Sequence, residues 1–470
     1  MFDDLESRAR YWLELEQTVN ERTYRDSTHG VIDIQKHALS LAHRPESRSV
    51  WPLEAVWIPR DRVRVYGSIH STVFGNSYPD DRIPLVLHPR PPAPHRRLVQ
   101  TFGAKSLDGI CATPTSSYRS VLAWRRDHPP VILKLSLGAV VAGVRRTLTE
   151  REIAGSVLMS RVLATIPAVD RRRLNFDWFT EPGGVAETSS QSGWLLRVLP
   201  ESKRLVPAFS LISASGDRAP ILVEMIRESG LSAEAFVIER ILQRYVSVLG
   251  YLLFEQGIQV EGHCQNVLFE IDRNGLLTGQ LVLRDLSDMT LSIPFRLARR
   301  KPFPPLDRNF VTGSPPFALA TVSADHKWNQ GRSSIYRGRD TVERYGLGAF
   351  VGAINVSLQR YFKRYAAMKV EHEYLQLWQK QAMRYLNLRP LFRKKPKGIA
   401  TDEACAYWLR EVDWTRLRAM SGARLPSSAE PLYIVRRMPR RAGAVYDRVE
   451  CPWGDIFLEA GLPAFFSPAF

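Results

Sequence analysis

The stretch from Ser232 to Asp285 limits the fold more than any other part of the sequence. Ser232 is a helix-capping residue. It is followed by apolar positions at Phe236, Ile241, Tyr245, Val248, Leu249 and Leu252, which share one side of a helix. Gly257 supplies a stop, because glycine tolerates the left-handed backbone that ends a helix. Glu261-Gly262-His263-Cys264-Gln265-Asn266 comes next, then residues 267–271, an Asn274-Gly275 turn and residues 280–286, which predict a β-hairpin. The second strand returns Arg284-Asp285 to the end where the polar loop leaves the helix. An imidazole, an amide and a carboxylate are thereby gathered at one place. Asn and Asp oxygens suit Mg²⁺ bridging nucleotide phosphates, and an imidazole titrating near neutrality can take a proton from a nucleophile. A capped loop with satisfied polar groups is the bland alternative, and it explains each residue singly better than it explains the set.

The chain divides into three regions, 1–104, 105–205 and 206–470. The first mixes an opening helix with strands at 63–69 and 83–87. It ends in the Pro-rich run from His88 to Pro94, where missing N–H donors exclude regular structure. The second reads as β-rich with one helix. Val131, Leu133, Leu135 and Leu137 alternate with Ile132, Lys134 and Ser136, so Lys134 lies on the face opposite the Leu row. Thr149 and Glu152 form a capping box for the helix that follows, and residues 194–199 predict another strand. The third region is mostly helical, with a long loop at 302–340 and helices near 346–386 and 402–420.

Lys and Arg outnumber Asp and Glu by 65 to 48, a net charge of +17, so an anionic partner is expected. Nucleic acid, ATP and a tricarboxylate all qualify. The excess sits in short patches such as Arg171-Arg172-Arg173 and Arg393-Lys394-Lys395, several of the patches beside Pro in evident loops, without a nucleic-acid-binding module around them, so solvated loop charge is the simpler reading. No apolar run reaches the length of a membrane span, and the acidic start lacks the pattern of a secretory signal. Cys111, Cys264, Cys405 and Cys451 are scattered without metal-ligand spacing, as expected of reduced thiols in a cytoplasmic protein.

Two further segments can clamp anions. Pro114-Thr115-Ser116-Ser117-Tyr118-Arg119-Ser120 offers hydroxyls and a guanidinium, and Lys134 is followed by Arg145-Arg146. Neither GxxxxGK[ST] nor GxGxxG occurs, so a nucleotide would be held by side chains and not by a backbone cradle.

In this order, the segments resemble the signature of the siderophore synthetase family that includes the aerobactin synthetases, the IucA/IucC type. Pro114 to Ser120 is similar to the family's Pro-Thr-x-Ser-x-Arg-Thr loop. Lys134-Leu135-Ser136-Leu137 with Arg146 is similar to its Lys-Leu-x-Leu strand and later Arg, and Leu196-Arg197-Val198-Leu199-Pro200 to its strand with an Arg before a Pro. Glu261 to Asn266 with Arg284-Asp285 is similar to its Glu-x-His-x-Gln-Asn and Arg-Asp elements, and Lys380 lies in a helix that faintly echoes another. The family's His-Pro-Trp-Gln stands here as His88-Pro89-Arg90-Pro91.

The resemblance implies an α+β, hand-like enzyme around a deep cleft: thumb (1–104), fingers with an antiparallel sheet (105–205) and a mostly helical palm (206–470). It implies an ATP- and Mg²⁺-dependent ligase that activates a citrate-like carboxylic acid as an acyl-adenylate and joins it to an amine or alcohol. Ser117, Arg119, Ser120 and Lys134 would contact ATP phosphates. Gln265 and Asn266 would hold nucleotide and metal, with Glu261 and Asp285 as further ligands. Arg146, or Arg145 if the spacing shifts by one, would meet the carboxylate, and His263 would orient it or deprotonate the nucleophile. A homodimer is compatible with the family, and neither nucleic acid nor membrane is an expected partner. Two rivals stand beside this reading: a small-molecule kinase using Lys134 and Glu152, and a non-catalytic nucleic-acid-binding protein.

Overall fold

The computed structural model describes residues 7–18, 40–69, 81–126, 128–141, 144–200, 204–214, 217–291, 301–302, 340–386, 432–440 and 443–451. The expected 402–420 helix and almost all of the expected 302–340 loop lie outside these residues.

An eight-stranded antiparallel sheet forms one layer. Its strands are β1 (Trp51–Pro59), β2 (Val63–Gly67), β3 (Arg82–Leu87), β4 (Lys105–Pro114), β5 (Ser120–Trp124), β6 (Val131–Leu135), β10 (Thr180–Glu187) and β11 (Ser192–Val198). They lie in the order β2-β10-β11-β6-β5-β4-β1-β3. β1 pairs with both β3 and β4, so one sheet takes strands from both sides of residue 104. Between β6 and β10, a small hairpin joins β7 (Val140–Val141) to β8 (Val144–Arg145). The region read as holding one helix has two, Glu150–Ala164 and Ala168–Leu174. The capping box at Thr149 and Glu152 is present, with each side chain bonding the other's backbone N–H.

A second sheet has the order β12-β14-β15-β9, from Arg204–Pro207, Val267–Ile271, Leu277–Leu283 and Phe176–Trp178 respectively. The hairpin's second strand thus begins and ends earlier than the sequence suggests. β13 (Ile258–Gln259) pairs with β16 (Thr290–Leu291), and β17 (Leu432–Arg440) with β18 (Gly443–Cys451). The Pro-rich run does become regular at its end. Helix Ala93–Phe102 starts there with Pro92 as its cap and Pro94 in its first turn, where no intrahelical N–H is needed. The long helix after Ser232 forms as Ala233–Phe236 and Gln243–Phe254, joined by a π-helical segment, Val237–Leu242. Its Tyr245 ring stacks on Phe350 at 4.2 Å, binding it to the later helical region 340–386. No single described helix is long and apolar enough to cross a membrane.

Strand alternation decides what faces what. Val131, Leu133 and Leu135 enter a core on one side of the large sheet together with Val121, Ala123, Trp194 and Leu196. Ile132 points the other way and joins Leu122, Trp124, Leu205, Leu268 and Val282, so the two sheets meet there. Helix Ser7–Thr18 fills this joint with Ala9, Trp12 and Leu13, all at most 2% exposed. Lys134 is two residues along β6 from Ile132 and shares its face, beyond the edge of the apolar joint. Removing the Trp12 side chain leaves a cavity between two sheets that cannot both collapse into it. Trp12→Ala is therefore expected to cost ~3–5 kcal/mol in denaturant unfolding. A loss below about 1 kcal/mol would show that the joint closes without it.

Candidate active site

The large sheet presents cations to the end of the β14–β15 hairpin. Lys134 Nζ, 1% exposed as a residue, donates to Asp285 Oδ1 and, at 2.9 Å, to Ser287 Oγ. Arg197, from the neighbouring strand, reaches the same oxygen at 3.3 Å. Its Nε donates to Glu181 Oε1 at 2.7 Å. Arg119 approaches Glu152 Oε1 at 3.5 Å, while Glu152 Oε2 caps its helix. Asp285 adopts a left-handed backbone (φ 64°), which turns its side chain out of strand register and into this cluster.

The electrostatics follow from this geometry. Burial opposes ionisation of Asp285, but Lys134, Arg197 and Arg119 outweigh it and hold the carboxyl well below the usual range. Burial also opposes ionisation of Glu152, and Arg119 and Lys134 again prevail. Asp288 behaves differently: its surroundings and the Asp285 charge push its carboxyl up to about 6. The Asp288 side chain itself is exposed to water.

The Ser/Arg loop is held by its own hydroxyls. Ser117 Oγ accepts from Ser120 N at 3.1 Å, and Thr115 Oγ1 donates to Ser120 O at 2.9 Å. Tyr118 takes φ 62°, and its carbonyl lies 3.2 Å from His88 Nε2. Arg90 N donates to His88 Nδ1, which leaves the ring proton on Nε2, aimed at that carbonyl. Burial and then His43 lower His88 to about 3, so it stays neutral. The His88-Pro89 element thus supports the loop.

His263 is 4% exposed. Gln265 N lies 3.2 Å from its Nδ1 and Asn266 Nδ2 lies 3.3 Å from its Nε2, so an N–H donor faces each ring nitrogen. Glu261 Oε2 is 3.9 Å from Nε2, and Asn266 Nδ2 donates to the Glu261 carbonyl at 3.2 Å. Gly262 packs against the long helix: Tyr245 Oη donates to its carbonyl at 2.8 Å, and a Cβ would overlap Tyr245 and Leu249. Arg284 Nε donates to Gln265 O at 2.6 Å, and Arg284 N to Asn266 O at 3.0 Å, which brings the polar loop beside Asp285.

The structure therefore joins Lys134 and Asp285 directly, brings Arg119 near them beside Glu152, and links them through the hairpin to His263, Gln265 and Asn266. Arg145 is exposed on the β7–β8 hairpin, and Arg146 is half-buried at its base, where its carbonyl accepts from Leu137 N. Lys380 is exposed on helix Ala367–Leu386. Sequence reasoning did not single out Glu181, Ser287 or Asp288. The signal for Glu181 is a carboxylate in a strand whose partner strand places Arg197 on the same side. No group of three His, Cys, Asp or Glu among the described residues can hold a metal alone. One or two oxygens, as from Asp285 and Asn266, still fit Mg²⁺, which takes its other ligands from phosphates and water.

Residues 95–213 match the model of the IucA / IucC family. That segment contains Ser117, Arg119, Ser120, Lys134, Arg145, Arg146 and Arg197. No curated protein sequence matches. Among solved structures, the petrobactin biosynthesis protein AsbB of Bacillus anthracis str. Sterne aligns with a TM-score of 0.57 and 14% identity, over 81% of this chain and 68% of that one. Aerobactin synthetase IucC of a hypervirulent Klebsiella pneumoniae gives 0.54 and 17%, over 83% and 75%. ATP-bound aerobactin synthetase IucA from the same pathotype gives 0.52 and 15%, over 96% and 79%. These likenesses establish a mixed α+β fold of the synthetase kind.

Two predictions test the electrostatics. Arg197→Met strands the fully buried Glu181 carboxylate and is expected to cost ~3–5 kcal/mol, part of which Glu181→Met added to it restores. Equal losses in the single and double variants would exclude a stranded charge as the cause. The raised carboxyl of Asp288 contributes stability that is fully present below the unfolded value of 3.8 and is lost as pH rises through about 6. The Tm advantage of Asp288→Asn over the parent should therefore grow between about pH 4 and 6 and stay level above; a pH-independent difference would refute it. The chain thus resembles the IucA / IucC family both in the sequence of residues 95–213 and in its fold.

Proposed function

We propose that the protein is an ATP-dependent siderophore synthetase that activates a citrate-like carboxylic acid as an acyl-adenylate and condenses it with an amine or alcohol. The observation that carries this reading is the convergence of Arg119, Lys134 and Arg197 on a firmly ionised Asp285, on a fold shared with an ATP-bound synthetase. A carboxylate is a poor electrophile, and it must meet the α-phosphorus of an equally anionic nucleotide. A fixed cationic wall lowers that repulsion without reorganising during the step.

In this mechanism, Arg119 and Lys134, with the hydroxyls of Ser117 and Ser120, grip the phosphates, and Gln265 contacts the nucleotide. The acid's oxygen attacks the α-phosphorus and pyrophosphate leaves. Arg146, or Arg145, binds a substrate carboxylate, and His263 orients an oxygen of the acid. Asp285 and Asn266 would hold Mg²⁺, which supplies charge neutralisation between the phosphates; Glu261 is the further oxygen beside them. The amine or alcohol then attacks the acyl carbon, loses its proton to solvent or to His263, and AMP departs.

The test is product analysis with ATP, Mg²⁺, a panel of carboxylic acids and hydroxylamine as nucleophile. The expected result is acid-dependent AMP and pyrophosphate, reduced about 100-fold or more in Arg119→Ala and His263→Ala. ADP as product would establish a kinase instead, and the absence of turnover with every acid would count against a synthetase.

A further inference from the structure

Helix Ser7–Thr18 is more than filling between two sheets. Its Glu16 is 0% exposed and its Gln17 3%, and a carboxylate at that depth is costly unless both oxygens are engaged. Glu16 Oε2 accepts from Ser116 Oγ at 2.5 Å and from Ser116 N at 3.3 Å. Glu16 Oε1 accepts from Arg284 NH1 at 2.5 Å. Gln17 Nε2 adds bonds to Thr113 Oγ1 at 2.9 Å and to the Pro114 carbonyl at 3.1 Å. The helix is fixed from behind, since Ser210 Oγ donates to the Leu15 carbonyl at 3.1 Å and Arg204 lies over the Tyr11 ring at 4.7 Å.

One carboxylate therefore touches both halves of the site. Ser116 belongs to the loop that carries Ser117 and Arg119. Arg284 precedes Asp285 and clasps the Gln265 carbonyl of the His263 loop. The two segments come from different sheets, and 164 residues of sequence separate Arg284 from Ser120.

We propose that Glu16 is a positioning residue that sets the spacing between the Ser/Arg loop and the His263–Asn266 loop by joining Ser116 to Arg284. Its effect on nucleotide rests on the ATP-dependent reading above; the mechanical coupling of the loops does not.

Amide hydrogen exchange on the full-length chain tests the coupling, with calorimetric titration of Mg·ATP on the same samples. Glu16→Gln keeps the shape but leaves the Arg284 guanidinium without its anionic partner. Exchange should rise about tenfold or more in residues 115–120 and 263–266 together, while β5 and β6 stay as protected as in the parent. Ser116→Ala, the milder variant, should raise exchange in 115–120 only, and Glu16→Gln added to it should then affect that loop less than it does alone. Mg·ATP affinity should fall about tenfold in Glu16→Gln. A rise in one loop only, in neither, or evenly across β5 and β6 as well would overturn the proposal. A parent protein that binds no Mg·ATP would defeat the nucleotide reading, and the exchange pattern would still decide the role of Glu16.

Discussion

Asp285 is the point on which the site's electrostatics turn. Three cations face it from the large sheet and its loop, and it sits at the end of a hairpin belonging to the smaller sheet. Its charge makes it possible to bury Lys134 and Arg197. Glu181 then balances Arg197 from the opposite side. The chain thus holds a dense group of charges, each with an oppositely charged neighbour. A polyanionic ligand entering such a site exchanges partners with groups already oriented, and little side-chain freedom remains to be lost.

The fold places this cluster through one simple rule. Strand alternation puts Ile132 and Lys134 on the same face of β6, and Arg197 on the matching face of β11 opposite Ile132. The apolar members close the joint between sheets, and the polar members emerge where the joint ends. Packing and electrostatics are therefore not independent here. A shift of one residue in the register of β6 would turn Lys134 into the wrong core and Leu133 toward Asp285.

Much of this was legible in the sequence because the deciding signals are local. The Ser232 cap, the Gly257 stop, the Asn274-Gly275 turn and the Thr149–Glu152 box each act within a few residues. They located the hairpin and predicted that Asp285 would return to the His263 loop. What could not be read depends on distant pairing. Nothing near Glu16 in the sequence points to Ser116 or Arg284, and Glu181 resembles any strand carboxylate until β10 is known to lie beside β11. The Pro-rich run misled for a local reason: Pro94 forbids a helix interior but is at home in a first turn. The π-helical segment within the long helix left no mark in its apolar spacing.

Gly262 carries a last consequence. Because a Cβ at this position would strike Tyr245 and Leu249, the middle letter of Glu-Gly-His is dictated by a helix some fifteen residues upstream and not by chemistry at the site. The two places form a lock with two tumblers. A larger residue at 262 needs room from both Tyr245 and Leu249, and a smaller residue at 245 would give up both the hydroxyl bonded to the Gly262 carbonyl and the ring stacked on Phe350. Variation in the loop is thereby tied to variation in the helical core, and the site can drift only along paths on which both change at once.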